Sequence, residues 1–334
     1  MKRKKSKSWL FVILSLVVIG VGVYYANIRL YQPGKIWDVA FFRVPESDNL
    51  VNRDYSIPYT IFSPQKKVRM RYHYVTGYAD PFLFQDGEYI YIFYEQELFQ
   101  APAPICAMRT KDMKKWESLG TVLKEDFHLS YPNVFRYESD IYMIPETHER
   151  NAVILYKAKD FPYQWEPVKE LVTNGRFVDS CVLPYNGKWY LFTTTWRTEQ
   201  SGLRIYTADS LTGKYTEHPM SPVSMDVSNM RCGGAIIEDN GHLYRPAQYD
   251  VNYYGENLVL YEITKLTEHE YEENPVKPML DHANAWSAKG GHHMNVLETE
   301  NERLVVFDGR VKDNMINNRT RKLFEFFGHS ANDN

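Results

Sequence analysis

Cysteine is scarce in this chain. Cys106, Cys181 and Cys232 are the only three in 334 residues. An odd count at such wide spacing argues against a disulfide framework, and no Cys-x-x-Cys pair or His/Cys spacing marks a zinc site. Cys181 and Cys232 fall within apolar, strand-like runs, where free buried thiols are expected. A charge bias is also missing. Lys and Arg number 39 against 42 Asp and Glu, a formal charge of −3, so composition gives no reason to expect a nucleic-acid partner. After residue 60 no long amphipathic helical pattern occurs, and no cofactor is expected.

Aromatics, by contrast, are abundant. They make up 15% of the chain, with 26 tyrosines. Short apolar runs rich in Tyr, Phe and Trp favour strands. The same residues suit a surface that stacks on sugar rings, although most of them belong to a β core.

The N-terminus carries a separate signal. Lys2, Arg3, Lys4, Lys5 and Lys7 precede an uncharged run from Ser8 to Ile28, whose apolar centre is Trp9 to Tyr25. A helix of about 20 residues spans the roughly 30 Å of a bilayer core. The basic cluster predicts a cytoplasmic tail (residues 1–7) and a signal anchor (8–28), with the rest of the chain on the other side of the membrane. A cleaved signal peptide is the competing reading, but the run is long for one and no small-x-small site follows. No cysteine lies near enough for a lipoprotein anchor. Residues 29–65 read as a stem, 66–320 as the main domain and 321–334 as a C-terminal tail.

Beyond the stem the chain repeats itself. Tyr78–Glu95, Leu129–Glu146, Phe177–Thr194, Arg231–Gln248 and Gly290–Arg310 each pair an apolar strand with a second aromatic strand across a polar turn. Their starts are 51, 48, 54 and 59 residues apart. Three of the turns contain Asp-Gly or Asn-Gly, which tolerate the positive φ of tight hairpins. Between these hairpins a strand, an Asp, a short turn and a Trp or Tyr recur, as in Ile105–Thr110 with Asp112 and Trp116. That spacing fits blades of four strands. The prediction is an all-β, five-bladed β-propeller preceded by one N-terminal transmembrane helix.

In such a blade the innermost strand starts, and its antiparallel neighbour ends, at the same face of the ring. Residues at those positions converge on one mouth of the axial channel. They are Asp80, Glu95, Tyr131, Glu146, Asp179, Arg231, Arg245, Gln248, His292, His293, Asp308 and Arg310. A concave ring of acids, arginines and histidines is the expected site; turn caps and ion pairs between blades would produce part of the same pattern. Arg245 and Arg310 offer planar donor forks for phosphate, carboxylate or vicinal hydroxyls. His292 or His293 titrates near neutral pH and suits a proton shuttle. Trp196, just past the third repeat, suits a stacking platform. The spacing of His292, His293 and Asp308 is not diagnostic of a metal, and none is assigned.

Two resemblances follow. Ala79-Asp80-Pro81, opening a strand with a Gly-aromatic hairpin after it, resembles the first blade of arabinanase/β-xylosidase-type glycoside hydrolases. The resemblance implies a catalytic base at Asp80 and a carboxylate that tunes the acid at Asp179. The family's general acid opens blade four, where this chain reads Arg231-Cys232-Gly233-Gly234 and has no carboxylate. Glycoside hydrolysis uses two carboxyl groups, and Glu146 or Glu95 is the substitute the rim offers. The second resemblance is more specific. Ser130-Tyr131-Pro132, Ile144-Pro145-Glu146-Thr147, Phe177-Val178-Asp179-Ser180, Tyr244-Arg245-Pro246-Ala247-Gln248, Tyr254-Gly255 and Phe307-Asp308-Gly309-Arg310 together resemble the N-terminal domain of plant glucosamine inositolphosphorylceramide transferases and their bacterial relatives, over about residues 70–310. It implies a propeller, a blade-five histidine at His292 or His293, and a glycan or glycolipid partner. In the plant proteins sugar transfer is attributed to a separate C-terminal domain, expected to be absent here.

These readings point to a membrane-anchored, carbohydrate-active propeller that hydrolyses or transfers glycosyl units of envelope or extracellular glycans or glycolipids. Asp80, Asp179 and Glu146 are the candidate catalytic groups. Glu95, Tyr131, Trp196, Arg245, Gln248, His292, His293, Asp308 and Arg310 are the candidate binding groups. A non-catalytic module that binds glycan or lipid head groups is the alternative.

Overall fold

The Asn-Gly turns behave as their chemistry requires. Asn186-Gly187 and Asn240-Gly241 both place two consecutive residues at positive φ and close two-residue hairpins, the backbone twist that matches flanking strands. The computed structural model describes residues 35–63, 75–98, 101–196 and 200–313, with helical positions 9, 12–20 and 22. Strands β1 (Lys35–Pro45) and β2 (Thr60–Phe62) come first. Blade one is β3 (Val75–Asp86), β4 (Tyr89–Leu98), β5 (Ile105–Thr110) and β6 (Glu117–Leu123). Blade two is β7 (Ser130–Tyr137), β8 (Asp140–Glu146), β9 (Ala152–Asp160) and β10 (Gln164–Thr173). Blade three is β11 (Phe177–Tyr185), β12 (Lys188–Thr195), β13 (Gly202–Ala208) and β14 (Thr216–Glu217). Blade four is β15 (Ile237–Asp239), β16 (His242–Tyr249), β17 (Asn257–Leu266) and β18 (Tyr271–Pro278). Each is an antiparallel meander in chain order.

Blade five departs from that order. Its sheet runs β19 (Met294–Glu298), β20 (Glu302–Asp313), β1, β2, with β1 pairing antiparallel to β20 from Lys35↔Asp313 to Pro45↔Glu302. The assignment of residues 29–65 to a stem is corrected here, because residues 35–62 supply the two outer strands of the last blade. The first strands therefore close the ring. β1 shows no repeat because its inner partner, β20, lies about 260 residues away.

Five buried clusters join neighbouring blades. Phe84, Phe93 and Ile154 link blades one and two, Ile144, Leu155 and Leu191 link two and three, and Phe192, Ile205 and Ile263 link three and four. Phe42, Leu260 and Phe307 link four and five, and Val39, Ile92 and Val306 link five back to one. Each sheet thus buries both faces, and the hydrophobic effect closes the five-bladed ring. In the outer hairpins, Trp116 and Trp165 each donate from Nε1 to a carbonyl three residues earlier, at 3.2 and 2.8 Å. This explains the recurring Trp. All three cysteines are free and buried.

Among the described residues no helix is long and apolar enough to cross a membrane. The helical positions within the expected anchor are exposed. The basic tail, the rest of that segment, residues 29–34 and 64–74, and the C-terminal tail lie outside the described residues.

Candidate functional site at the axial mouth

Three inner strands share one irregularity. In blade one Ala79 faces Glu95 and Phe82 faces Phe93, so Asp80 and Pro81 sit opposite a single residue. The same bulge falls at Tyr131-Pro132 and at Asp179-Ser180. Asp80, Tyr131 and Asp179 take φ of 51°, 46° and 51°, a left-handed conformation that costs non-glycine residues on the order of 1–3 kcal/mol. Surrounding hydrogen bonds hold it. Tyr131 N donates to Asp80 Oδ2 at 3.1 Å, and Asp80 N to Asp308 Oδ2 at 3.3 Å. A bulge re-aims side chains, and here it turns two of the three toward the mouth.

Blade four has Gly233-Gly234 at this point. A Cβ on Gly233 would lie 2.6 Å from the His292 carbonyl oxygen, and one on Gly234 (φ 147°) would run into the Met294 carbonyl. The backbones of blades four and five meet here, with Met294 N donating to Gly233 O at 2.7 Å. No carboxylate fits at either glycine. Gly234→Ala is expected to destabilise the fold by about 2–4 kcal/mol through strain and overpacking; an unchanged denaturation midpoint would contradict this contact.

Asp308 on β20 is the hub. Its Oδ1 accepts the backbone N–H of His292 (2.7 Å) and of His293 (3.0 Å), and its Oδ2 lies 2.6 Å from His292 Nδ1. His292 Nε2 points to Asp80 Oδ1 at 3.6 Å. That oxygen is buried and makes no hydrogen bond. Trp37 on β1 stacks on the His292 ring at 4.4 Å, and Tyr254 meets it edge-on at 5.0 Å. Asp80, His292 and Asp308 each place a donor atom within 4.8 Å of the others, a carboxylate–imidazole set suited to one divalent cation.

A second group lies beside this one. Arg231 Nε donates to Asp179 Oδ2 at 2.6 Å, and its guanidinium lies over the rings of Trp196 (4.9 Å) and Tyr254 (5.2 Å). Arg310 donates to the Tyr254 carbonyl at 3.0 Å and lies over Trp37 and Tyr253. On the blade one and two side, Glu146 Oε1 is 2.5 Å from His148 Nδ1, and Glu95 Oε1 is 3.4 Å from His128 Nε2.

Burial sets the proton affinities. It pushes Asp80 up to about 7, opposed by His292 and reinforced by Asp308, Asp179 and Glu146. It pushes Asp179 to about 6 against the pull of Arg231. Burial, then Glu97 and Asp80, holds Glu95 well above the carboxylate range. Glu146 is also penalised by burial, but the hydrogen bond and charge of His148 bring it below its usual value. For His292 burial is outweighed by Asp308 and Asp80, raising it to about 9; for His293 burial wins, leaving it neutral at about 3. Asp308, penalised by burial, is held down by His292. The mouth therefore holds protonated and ionised carboxyl groups side by side at neutral pH, the condition for acid–base chemistry.

Asp80, Glu95, Glu146, Asp179, His292, Asp308 and Arg310 come together at the mouth with Trp196. Tyr131 sits beneath them, fully buried against Phe82 and His293, its hydroxyl accepting from Gly234 N at 2.9 Å. His293 packs on Phe82 at the same level. Gln248 is turned inward and donates to the Cys232 carbonyl at 2.8 Å. Arg245 needs correcting. It is fully buried in mid-strand, paired through both Nε and Nη2 with Glu273 on β18 at 2.8 and 2.6 Å. β16 runs on to Tyr249, so Arg245 lies below the rim and points between strands. Sequence reasoning missed Trp37, His128 and His148. His128 and His148 flank the second repeat and were findable there; Trp37 carried no signal within the supposed stem.

Comparison with known proteins agrees with the fold. The family described as glucosamine inositolphosphorylceramide transferase 1, N-terminal, matches residues 63–310. Glucosamine inositolphosphorylceramide transferase 1 of Oryza sativa subsp. japonica is 34% identical over 264 residues, covering 75% of this chain and 35% of that protein. The Arabidopsis thaliana protein of the same name is 31% identical over 244 residues, covering 69% and 32%. The chain spans about a third of the length of these relatives. Among solved structures, the catalytic domain of a Coprinopsis cinerea α-L-arabinofuranosidase aligns with a TM-score of 0.55 at 11% identity, over 83% of this chain and 98% of that one. A thermostable family-43 glycoside hydrolase aligns at 0.52 and 14% identity, over 70% and 89%. At such identities the likeness is one of fold.

Proposed function

The chain belongs to the family of the N-terminal domain of glucosamine inositolphosphorylceramide transferase 1, and from that premise we propose that its propeller binds a glycosyl unit of a glycan or glycolipid at the axial mouth and acts on it by acid–base chemistry. The observation that carries this reading is the buried carboxylate set. Asp80 Oδ1 lacks a hydrogen bond, and Asp80 is half ionised near neutral pH. Asp80 is the base. Glu95, protonated by its surroundings, is the proton donor in place of the carboxylate that blade four lacks. Asp179, tied to Arg231, orients a sugar hydroxyl. His292 stays charged and holds Asp80 in position together with Asp308. Trp196 and Tyr254 flank the entrance as stacking surfaces. The apolar run Trp9–Tyr25 anchors the chain in a membrane, with the basic tail cytoplasmic and the propeller outside.

The test is product release from a glycan and glycolipid panel, with Glu146→Gln and Glu95→Gln beside the unchanged protein. Full turnover in both variants would remove these two carboxyl groups, and the proposed proton donor with them, from the mechanism. Since the base form of Asp80 is required and its pKa is raised to about 7, kcat/KM is expected to rise with pH through about 7; a profile already flat from pH 5 would count against Asp80. The packed Gly233-Gly234 contact favours a second reading, a module that binds the head group without turnover. Saturable binding with no product across the panel would select it.

A further inference from the structure

The membrane anchor proposed above and the path of β1 together fix which way the ring faces. β20 is the second strand of blade five and runs toward the mouth. β1 is antiparallel to it, so β1 begins at the mouth. Trp37, two residues from its start, faces Arg310 in the register and stacks on His292. The chain therefore enters the propeller on the mouth face. Nine residues separate Tyr25, at the end of the apolar run, from Lys35 at the start of β1. Even fully extended they reach no more than about 36 Å. β1 alone runs 11 residues from the mouth face toward the far face, about 35 Å, and a tether led to the far face would have to cover that length and the edge of the ring as well, so the short tether holds the mouth toward the bilayer.

The same face carries an apolar lip. Met225 and Val227 lie in the segment before β15, and Val251 and Tyr253 in the loop between β16 and β17. Their exposures are 57, 44, 47 and 41%. The two loops are joined, since Asp250 N donates to Val227 O at 3.1 Å. Met225 rests beside Gly202, where β13 leaves the mouth. Tyr253 lies under the Arg310 guanidinium at 5.1 Å, and its neighbour Tyr254 contacts His292. The lip is thus continuous with the polar mouth: apolar side chains outside, guanidiniums and carboxylates within. That sequence of surfaces matches a lipid, whose head group is polar and whose next atoms are not.

We infer that Met225, Val227, Val251 and Tyr253 form a bilayer-contacting lip, so that the mouth opens onto the membrane and takes its ligand as the head group of a membrane-embedded lipid. This rests on the proposed anchor and head-group reading and narrows the ligand to a lipid-borne one. The lip inserts shallowly beside the lipid whose head group enters the mouth.

The experiment uses the full chain reconstituted in phosphatidylcholine vesicles. An environment-sensitive fluorophore is placed at Met225→Cys or Val251→Cys, the native thiols being buried. The control is Ile57→Cys, before β2 near the opposite end of β1. The expected result is a blue shift and quenching by spin-labelled lipid at positions 225 and 251, with an aqueous signal at 57. An aqueous signal at 225 and 251, or quenching at 57 instead, overturns the orientation. The double variant Met225→Ser/Val251→Ser is expected to lose about tenfold or more in binding or turnover of vesicle-borne glycolipid and nothing toward the soluble head group; equal losses on both would overturn the lip. If the unchanged protein takes no head group in either form, the proposed function fails, while the fluorophore still decides the orientation.

Discussion

Asp80→Asn will lower turnover by about 10²–10⁴-fold, the usual contribution of a positioned general base, while the folded state keeps or gains stability. The two effects separate for physical reasons. Asparagine tolerates the left-handed conformation that Asp80 adopts at φ 51°, and its side-chain oxygen still accepts the Tyr131 N–H. The ionised carboxylate, however, is disfavoured by burial, so a neutral isostere removes a cost the native protein bears for chemistry. Activity assays run beside thermal unfolding check this. Loss of activity with a matching loss of stability would make Asp80 structural. Retained activity would move the base elsewhere.

Arg245→Ala will unfold the protein more readily, by about 3–5 kcal/mol, because it strands Glu273 as an unpaired buried charge. Arg245 holds that carboxylate through two parallel hydrogen bonds, and Tyr271 donates to it at 2.5 Å. Removing Arg245 also opens a cavity beneath Tyr261. Denaturant titration measures the loss. Arg245→Met with Glu273→Leu replaces both partners by apolar groups of similar size and should recover most of it. Ligand affinity per folded molecule should not change; a fall in affinity without a fall in stability would return Arg245 to the binding surface.

The contrast between Arg245 and Asp80 shows what the sequence could convey. Repeat spacing and Asn-Gly turns made the blades and their inner hairpins legible, because both are local. They also placed Asp80, Glu146, Asp179 and Asp308 at strand ends on one face. What was hidden depends on register. The bulges that aim Asp80 and Asp179 shift pairing by one residue, and only the partner strand reveals that. Arg245 was misplaced by the same uncertainty, since β16 extends to Tyr249 and carries it below the rim. Trp37 stayed invisible because β1 repeats nothing and joins a strand from the other end of the chain. Apart from His128 and His148, each missed feature depends on how strands pair, which sequence pattern alone does not encode.

That pairing has a bearing on how the protein is made. Arg43 bridges to Glu302, 259 residues later, through Nε and Nη2. During synthesis β1 emerges well before β20, and until β20 follows only the short strand β2 pairs with it. Four blades can assemble meanwhile from neighbouring strands, but the ring and the Trp37–His292 stack form only once β20 has been translated. A ribosome-bound chain lacking the last blade should therefore expose an unpaired β1 edge, a target for chaperones, and should have no functional mouth.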